Sequence, residues 1–540
     1  MTSLPNLLAQ RVKAVVGIDP ELRPATKPQF GHFQTNVALR LAKQEGIAPR
    51  QMAERIVADL DIDDLAQTPE IAGPGFINFR LHPEVLAKAV NTLNQDARLG
   101  LPKNDGKTVV IDYSSPNVAK QMHVGHLRST IIGDCFNRVL SAIGDKVIAQ
   151  NHVGDWGRQF GMLIEQILDE NLDLETLDLA GAEDLYKRAN DSLNSSEEFA
   201  DRARARVVKL QSGDEETLKI WHKLIDISSL GFNETYRRLN VLLTDDDLDG
   251  ESRYNDQLDW VANDLAKRGI AVEDQGALVV FVDGFEAPAI IRNSAGGYGY
   301  DVTDVAAIRY RVQKMGAQRI IYVTDARQAD HFAIAFAVAR KAGYLPEDVE
   351  TTHVGFGMVL GPDGHPFKTR EGTAVHLDDL LDEAEENAVP QVALAAIKYA
   401  DLSSGLQKDY IFDAERMTQT TGNTGPYLQY AHARCANILR QANSEIGEIT
   451  TLAEPAEQNL ALALTQFSDT VQTVAEELTP HKLCTYLYDL ADKFSKFYEN
   501  CPVLKSEGNV RDSRLALVAA TKKVLAKGLD LLGIVAPEKM

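Results

Sequence analysis

The sequence predicts an α/β protein in three parts: a doubly wound parallel sheet in the middle, a small α+β unit before it and an all-helical bundle after it. Three observations predict this. In the middle of the chain short apolar runs alternate with amphipathic ones in strand–helix–strand order. Before it, helical spacing is interrupted by one strand-like segment. Beyond about residue 405 only helical periodicity is left. The length of 540 residues suits three or four domains, at about 100–200 residues each.

Taken in order, the N-terminal stretch MTSLPNLLAQRVKAVVGI has apolar residues at 4, 7, 8, 12, 15 and 16. That is helical spacing, broken by Arg11 and Lys13, without the continuous apolar run of a signal peptide. PRQMAERIVADL places Ala53, Ile56, Val57 and Leu60 on one helical face. IAGPGFINFRL (71–81) reads as a strand entered through a Gly-Pro-Gly turn, and HPEVLAKAVNTLNQ as a second helix. The polar LGLPKNDGK (99–107) reads as a linker, so the first part spans 1–100.

TVVIDYS is a short apolar strand. A helix over 122–143 follows, carried by Leu127, Ile131, Ile132, Cys135, Val139, Leu140 and Ile143, and KVIAQNHV is the next strand. The alternation lapses over about 160–250, a charged helical insertion. It resumes at GALVVFV and at RIIYVTD (319–325), which gives a middle part of 105–405. Four amphipathic runs, beginning at GPYLQYAHAR, EQNLALALTQF, HKLCTYLYDL and RDSRLALVAA, give the remaining 406–540 the texture of a bundle.

Composition bounds the function classes. The formal net charge of −22 argues against a general nucleic-acid binder, although local basic faces remain compatible with it. No apolar run approaches the ~20 residues that span a bilayer. The four cysteines, Cys135, Cys435, Cys484 and Cys501, form no C-x-x-C pair, so neither a zinc knuckle nor a disulfide framework is expected; a reducing, cytoplasmic setting fits.

The chemistry concentrates in SSPNVAKQMHVGHLRST (114–130), where His123 and His126 stand three apart around Gly125. Three readings compete. As a metal pair the spacing misses H-E-x-x-H, and no third ligand is near. As incidental histidines they would only start a helix. As a phosphate cradle they sit where an open α/β sheet binds ligands, after a strand and at a helix N-terminus. There a glycine permits close approach, and two imidazoles can donate to phosphate oxygens. No G-x-G-x-x-G follows the strand, so a dinucleotide site is not expected.

HVGH after a strand resembles the H-I-G-H signature of class I aminoacyl-tRNA synthetases. The longer SSPNVAKQMHVGHLRSTIIGD, with NHVGDWGRQFGML after it, is similar to arginyl-tRNA synthetases of the bacterial type. GESRYND (250–256), YGYDVTDVAAIRYR (298–311), YVTDARQADHF (322–332) and TGPYLQYAHAR (424–434) agree in order, and FGHFQTNVALRLAK and AGPGFINFRL resemble that family's N-terminal additional domain. The resemblance covers essentially the whole chain. It implies a Rossmann-like catalytic domain, an additional domain that touches the tRNA elbow, and a helical domain that reads the anticodon. It also implies an arginine–tRNA ligase: L-arginine is activated by ATP, with Mg²⁺ accompanying the nucleotide and no zinc, and passed to the terminal 2′-OH of tRNA(Arg). A monomer is the expected state.

Residue by residue, the resemblance implies an arginine pocket of Asn117, Glu251, Tyr300, Asp304 and Gln328. The physics agrees: a guanidinium wants anionic acceptors and an aromatic face, and Tyr300 and Asp304, four apart, share a helical face. His123, Gly125 and His126 fall on the phosphate side. The family's second signature, K-M-S-K-S, is missing. In its place stands GPDGHPFKTREG (361–372), a turn at the tip of a hairpin, with Pro366 and Phe367 where the first Lys and Met would be. Lys120 is the expected substitute, and Lys368 and Arg370 are further phosphate candidates. For RNA, the resemblance points to Phe76 and Asn78 at the elbow and to Tyr427 and Arg434 at the anticodon, with Tyr430 and His432 on the same helix. Rival readings are a synthetase for another amino acid, a nucleotidyltransferase without RNA, and a non-catalytic paralogue.

Overall fold

Four strands of the middle region pair in parallel in the order Glu350–Phe356, Arg319–Asp325, Thr108–Asp112, Lys146–Gln150. This is seen in a computed structural model that describes every residue except 1, 2, 26, 28, 29, 104 and 368–374. The period of two along each strand divides the interior. Val109, Ile111, Ile321 and Val323 join one core with the helix Val124–Ile143. Val110, Ile320 and Tyr322 join the other with the helices Asn255–Lys267, Tyr300–Gln313 and Ala329–Lys341. Burial on both faces explains why the two central strands, Thr108–Asp112 and Arg319–Asp325, are nearly continuous apolar runs.

The helical insertion is present as Arg158–Glu170, Leu179–Ser195, Glu197–Gln211 and Glu215–Arg238. GALVVFV is a correction. Its strand, Ala277–Val280, pairs antiparallel with Val272–Asp274 and Ala289–Arg292 in a separate three-stranded sheet, outside the parallel one. The first part is a four-stranded antiparallel sheet with helices Leu4–Val16, Val37–Glu45 and Pro49–Asp59. Here 71–81 is a hairpin, Glu70–Ala72 against Phe76–Phe79, not one strand. Gly75 at its turn has φ 145°, and a Cβ there would lie 2.8 Å from the Pro49 carbonyl.

The helix Pro83–Gln95 ties this part to the C-terminal bundle. Asn91 exchanges hydrogen bonds with the backbone of Ile449 (3.0 and 2.8 Å), and Asn94 donates to Ala516 O (3.1 Å). The bundle comprises Gly425–Ala442, Pro455–Thr465, Phe467–Glu477, Pro480–Asn500 and Gly508–Leu531, so the second amphipathic run breaks in two at Gln466. No helix among the described residues is long and apolar enough to cross a membrane.

Candidate active site

The central strand Thr108–Asp112 feeds Lys146–Gln150 on one side and has Arg319–Asp325 on the other. That is the topological switch point, where connections leave in opposite directions and a crevice opens at the carboxyl ends. A cavity of about 620 Å³ lies there, lined by His123, Gly125, His126, Glu251, Tyr300, Asp304 and Gln328, all predicted from the sequence. Asn117 lines a second cavity of about 610 Å³, which shares Glu251 with the first. Lys120 does not line the first cavity; its Nζ sits 3.8 Å over the ring of Tyr186, on the insertion. Lys368 and Arg370 lie outside the described residues.

Arg311, fully buried, pins the floor. Its guanidinium donates to Asp112 (2.7 Å) and Gln150 (3.1 Å), the last residues of adjacent strands. Above it the chain turns through Ser114 (φ 73°), Ser115 (φ 50°) and Ala119 (φ 61°), all in the left-handed region. That conformation costs a non-glycine residue roughly 1–2 kcal/mol. Specific hydrogen bonds hold it. Ser114 N–H donates to Ser129 Oγ (2.9 Å), Ser115 N–H to Asn151 Oδ1 (3.0 Å) and Ala119 N–H to Ser228 Oγ (2.8 Å). Tyr236 adds a 2.7 Å contact to the Ser114 hydroxyl. Two of these partners, Ser228 and Tyr236, belong to the insertion helix, so the insertion shapes the loop between strand and signature.

His123 caps the helix Val124–Ile143, with reciprocal bonds to its neighbour. Gly125 N–H donates to His123 Nδ1 (3.0 Å), and His123 N–H donates to His126 Nδ1 (3.1 Å). Both Nδ1 atoms accept, so each ring carries its proton on Nε2, the atom left to donate to a ligand. Burial pulls both imidazoles below the ordinary value. For His123 the neighbouring His376 and Lys120 add to this, and for His126 the nearby His123 helps carry it to about 3. They are neutral donors. Gly125 is required by its own cap: a Cβ there would lie 2.7 Å from His123 Cε1.

The opposite wall is charged. Asp155 accepts from both the N–H (2.9 Å) and the hydroxyl (2.6 Å) of Ser252, which fixes the loop bearing Glu251. Gly250 makes this possible, since a Cβ there would collide with the Asp155 carboxylate at 2.0 Å. Burial raises the Glu251 carboxyl to about 6, with Asp155 and Asp304 adding to it against His152. Asp304 accepts from His331 Nε2 at 2.6 Å. Tyr300, mostly exposed, turns its ring edge-on to His331 at 4.9 Å. His152 also lines this wall; burial lowers it, but Asp249 and Asp112 lift it to about 9.

His331, His152 and Asp155 were missed in the sequence. Each stands inside a quoted block, but nothing in its immediate sequence marks it. Among the described residues, no group of three or more His, Cys, Asp or Glu side chains could hold a metal ion.

The RNA candidates separate. Phe76 is half-buried, while Asn78 is buried at 4% exposure, and its carbonyl accepts from Gln34 (2.7 Å). Asn78 lies within the sheet, on the strand where the sequence places it. Tyr427 is half-buried against Tyr488, its hydroxyl 3.3 Å from Ser495. Arg434 lies between the exposed rings of Tyr430 (5.3 Å) and Tyr498 (4.9 Å). His432 is a core residue whose Nδ1 bonds the Pro537 carbonyl (2.9 Å).

Comparison with known proteins finds three family models along the chain. Residues 2–81 match the family model "Arginyl tRNA synthetase N terminal domain", 88–393 match "tRNA synthetases class I (R), catalytic domain" and 428–540 match "DALR anticodon binding domain". The arginine–tRNA ligase of Cutibacterium acnes is 63% identical over the full length of both chains. That of Thermobifida fusca is 48% identical over 99% of each. Among solved structures, the arginyl-tRNA synthetase of Plasmodium falciparum superposes with a TM-score of 0.84 at 30% identity, covering all of both chains. That of Thermus thermophilus superposes with 0.82 at 27%, covering 99% and 100%. With its catalytic, N-terminal and anticodon-binding regions all matched and full-length relatives this similar, the chain belongs to the arginyl-tRNA synthetase family.

Proposed function

We propose that this chain is an arginine–tRNA ligase in which the cavity at the switch point, with the adjoining one that Asn117 lines, carries out both half-reactions. One observation carries the reading: neutral imidazole donors form one wall of the cavity and paired carboxylates the other. In the first step the α-carboxylate of arginine attacks the α-phosphorus of ATP. The bond to the bridging oxygen breaks and pyrophosphate leaves. In the second step the terminal 2′-OH of tRNA(Arg) attacks the arginyl carbonyl carbon and AMP leaves.

No side chain acts as a nucleophile. The Nε2–H groups of His123 and His126 donate to phosphate oxygens as charge develops on them, with Gly125 keeping room for the cap. Glu251 and Asp304 receive the guanidinium, Tyr300 closes over it, and Asn117 and Gln328 hold the α-amino and carboxylate groups. Lys120, on its flexible stem, leaves Tyr186 to meet the β- and γ-phosphates, joined by Lys368 and Arg370. Mg²⁺ arrives with ATP, as part of the substrate. Phe76 serves the tRNA elbow, and Tyr427 and Arg434 serve the anticodon. The three parts, 1–100, 105–405 and 406–540, divide this work, in a monomer in the cytoplasm, where four buried free cysteines stay reduced.

The test is ATP–pyrophosphate exchange with each amino acid in turn, with and without tRNA, followed by charging of tRNA(Arg). Exchange that requires arginine and yields arginyl-tRNA supports the reading. Exchange without arginine, or with lysine in its place, overturns it.

A further inference from the structure

We propose that His331 is a positioning residue of the arginine site. It holds one oxygen of Asp304 and leaves the other for substrate, so that a guanidinium is received by two carboxylates, Asp304 and Glu251, instead of bidentately by one. The inference rests on reading this cavity as the arginine pocket.

The geometry is a brace. His331 Nε2 lies 2.6 Å from Asp304 Oδ2, and its Nδ1 lies 3.3 Å from Asp301 Oδ1. Asp301 and Asp304 stand three apart on one helix face, and His331 reaches them from the first turn of the next helix. Asp301 is itself fixed, because its other oxygen accepts from Ile290 N–H (2.7 Å) in the antiparallel sheet. The ring of Tyr300 at 4.9 Å and that of Phe332 at 5.1 Å back the imidazole. No hydrogen bond or ion pair from the described residues engages Asp304 Oδ1.

A bidentate pair with a guanidinium needs both oxygens of one carboxylate. His331 already takes one of the two acceptor sites of Asp304 Oδ2, so Oδ1 is the freer oxygen and the second arm of the fork is drawn to another carboxylate. Glu251 lines the same cavity and is electrostatically coupled to Asp304. The brace thus dictates how the guanidinium lies, and with it where the α-carboxylate reaches.

It also sets the charge that the pocket presents to arginine. An imidazole whose two nitrogens both face carboxylates carries two protons. Burial lowers His331, but Asp301 and Asp304 raise it to about 9. The other titratable groups around it are Tyr300 on the same helix as the two aspartates, His353 and Asp325 at the neighbouring strands, and Glu251 and His152 across the cavity. A bound guanidinium adds a cation beside this ring, so arginine must lower the His331 pKa, and by linkage loss of that proton must favour arginine.

The test uses the full chain with His331→Ala, His331→Gln and Asp304→Asn, assayed by arginine-dependent exchange in the presence of tRNA. His331→Ala is expected to raise the arginine KM about tenfold, the size of a lost hydrogen bond to a charged group, with the ATP KM within about twofold. His331→Gln, whose amide can still donate to Asp304, should recover part of this. In wild-type protein labelled with ¹³C-histidine, the resonance that vanishes in His331→Gln should titrate near pH 9. Saturating arginine should lower that midpoint by about half a unit or more. A His331→Ala enzyme with unchanged arginine KM, or a His331 resonance that arginine leaves in place, overturns the proposal. If Asp304→Asn loses arginine while His331→Ala does not, only the brace fails; if Asp304→Asn also leaves arginine binding intact, the reading of the pocket fails first.

Discussion

The two walls of the cavity use the same side chain to opposite ends. On the phosphate wall, His123 and His126 accept backbone N–H bonds at Nδ1 and are buried beside each other, so they stay neutral. On the arginine wall, His331 and His152 face carboxylates and are lifted to about 9. Burial lowers all four. The group at the ring nitrogen decides the outcome: a backbone donor enforces the neutral tautomer, and a carboxylate enforces the cation. One wall therefore offers donors without a fixed charge, suited to charge that develops during reaction. The other offers standing charge, suited to a substrate that arrives charged.

The sharpest way to break this contrast is to remove standing charge from one wall. Asp304→Asn leaves His331 and the arriving guanidinium without their shared anion. We expect kcat/KM for arginine to fall about 1000-fold, in the range for losing one partner of a desolvated charge pair, while the ATP KM stays within about twofold. A comparable loss in both KM values would mean that the walls are not separate. On the other wall His126→Ala should lower kcat about 100-fold or somewhat more, as for one donor to a developing oxyanion, with little change in the arginine KM. Because the donor is neutral, wild-type kcat should show no fall as pH rises through the ordinary imidazole range near 6.5. A fall there would mean that an imidazolium does the donating.

How far each wall could be read from the sequence follows from the same physics. The phosphate wall is local: strand, left-handed turn, histidine cap and helix occupy one continuous stretch, so spacing and position revealed it. Even there the sequence suggests Gly125 as room for the ligand, whereas the atom that a Cβ would strike belongs to His123. The arginine wall comes from four separated segments, around His152, Glu251, Tyr300 with Asp304, and Gln328 with His331. Asp304 and Tyr300 could be paired by their spacing of four, but His331 meets Asp304 across 27 residues and a strand, and nothing in its own neighbourhood signals that. Likewise GALVVFV is apolar enough for a buried parallel strand. Only its partners, known from tertiary structure, place it in an antiparallel sheet. Asn78 is a further case: the pairing of its strand turns its amide to Gln34, a partner that no local pattern announces.

Two smaller effects sharpen the contrast. Gly125→Ala forces the His123 ring off its cap, and a misplacement of about 1 Å should lower kcat about 30-fold with the arginine KM preserved. On the arginine wall the Glu251 carboxyl, raised to about 6, is charged above that pH and neutral below it. The arginine KM should then rise about tenfold between pH 7 and pH 5, and this rise should be absent in Glu251→Gln. A KM flat over that range in the wild type would show that Glu251 does not receive the guanidinium.

The smallest expected effect concerns the residue that belongs to neither wall. Lys120 rests on Tyr186, 3.8 Å from the ring centroid, a cation–π contact that is worth about 0.5–2 kcal/mol. If the lysine must leave that ring to meet the phosphates, the contact competes with ATP. Lys120→Met keeps the apolar stem and removes the charge, and should lower kcat/KM for ATP about threefold to fivefold. Tyr186→Ala removes the resting place and frees the charge, so it should leave kcat/KM for ATP unchanged or raise it. The two substitutions break the same contact and are predicted to act with opposite sign. Losses of equal size in both would mean that the contact itself matters, as packing between the signature loop and the insertion, and that the phosphate wall works through its histidines without Lys120.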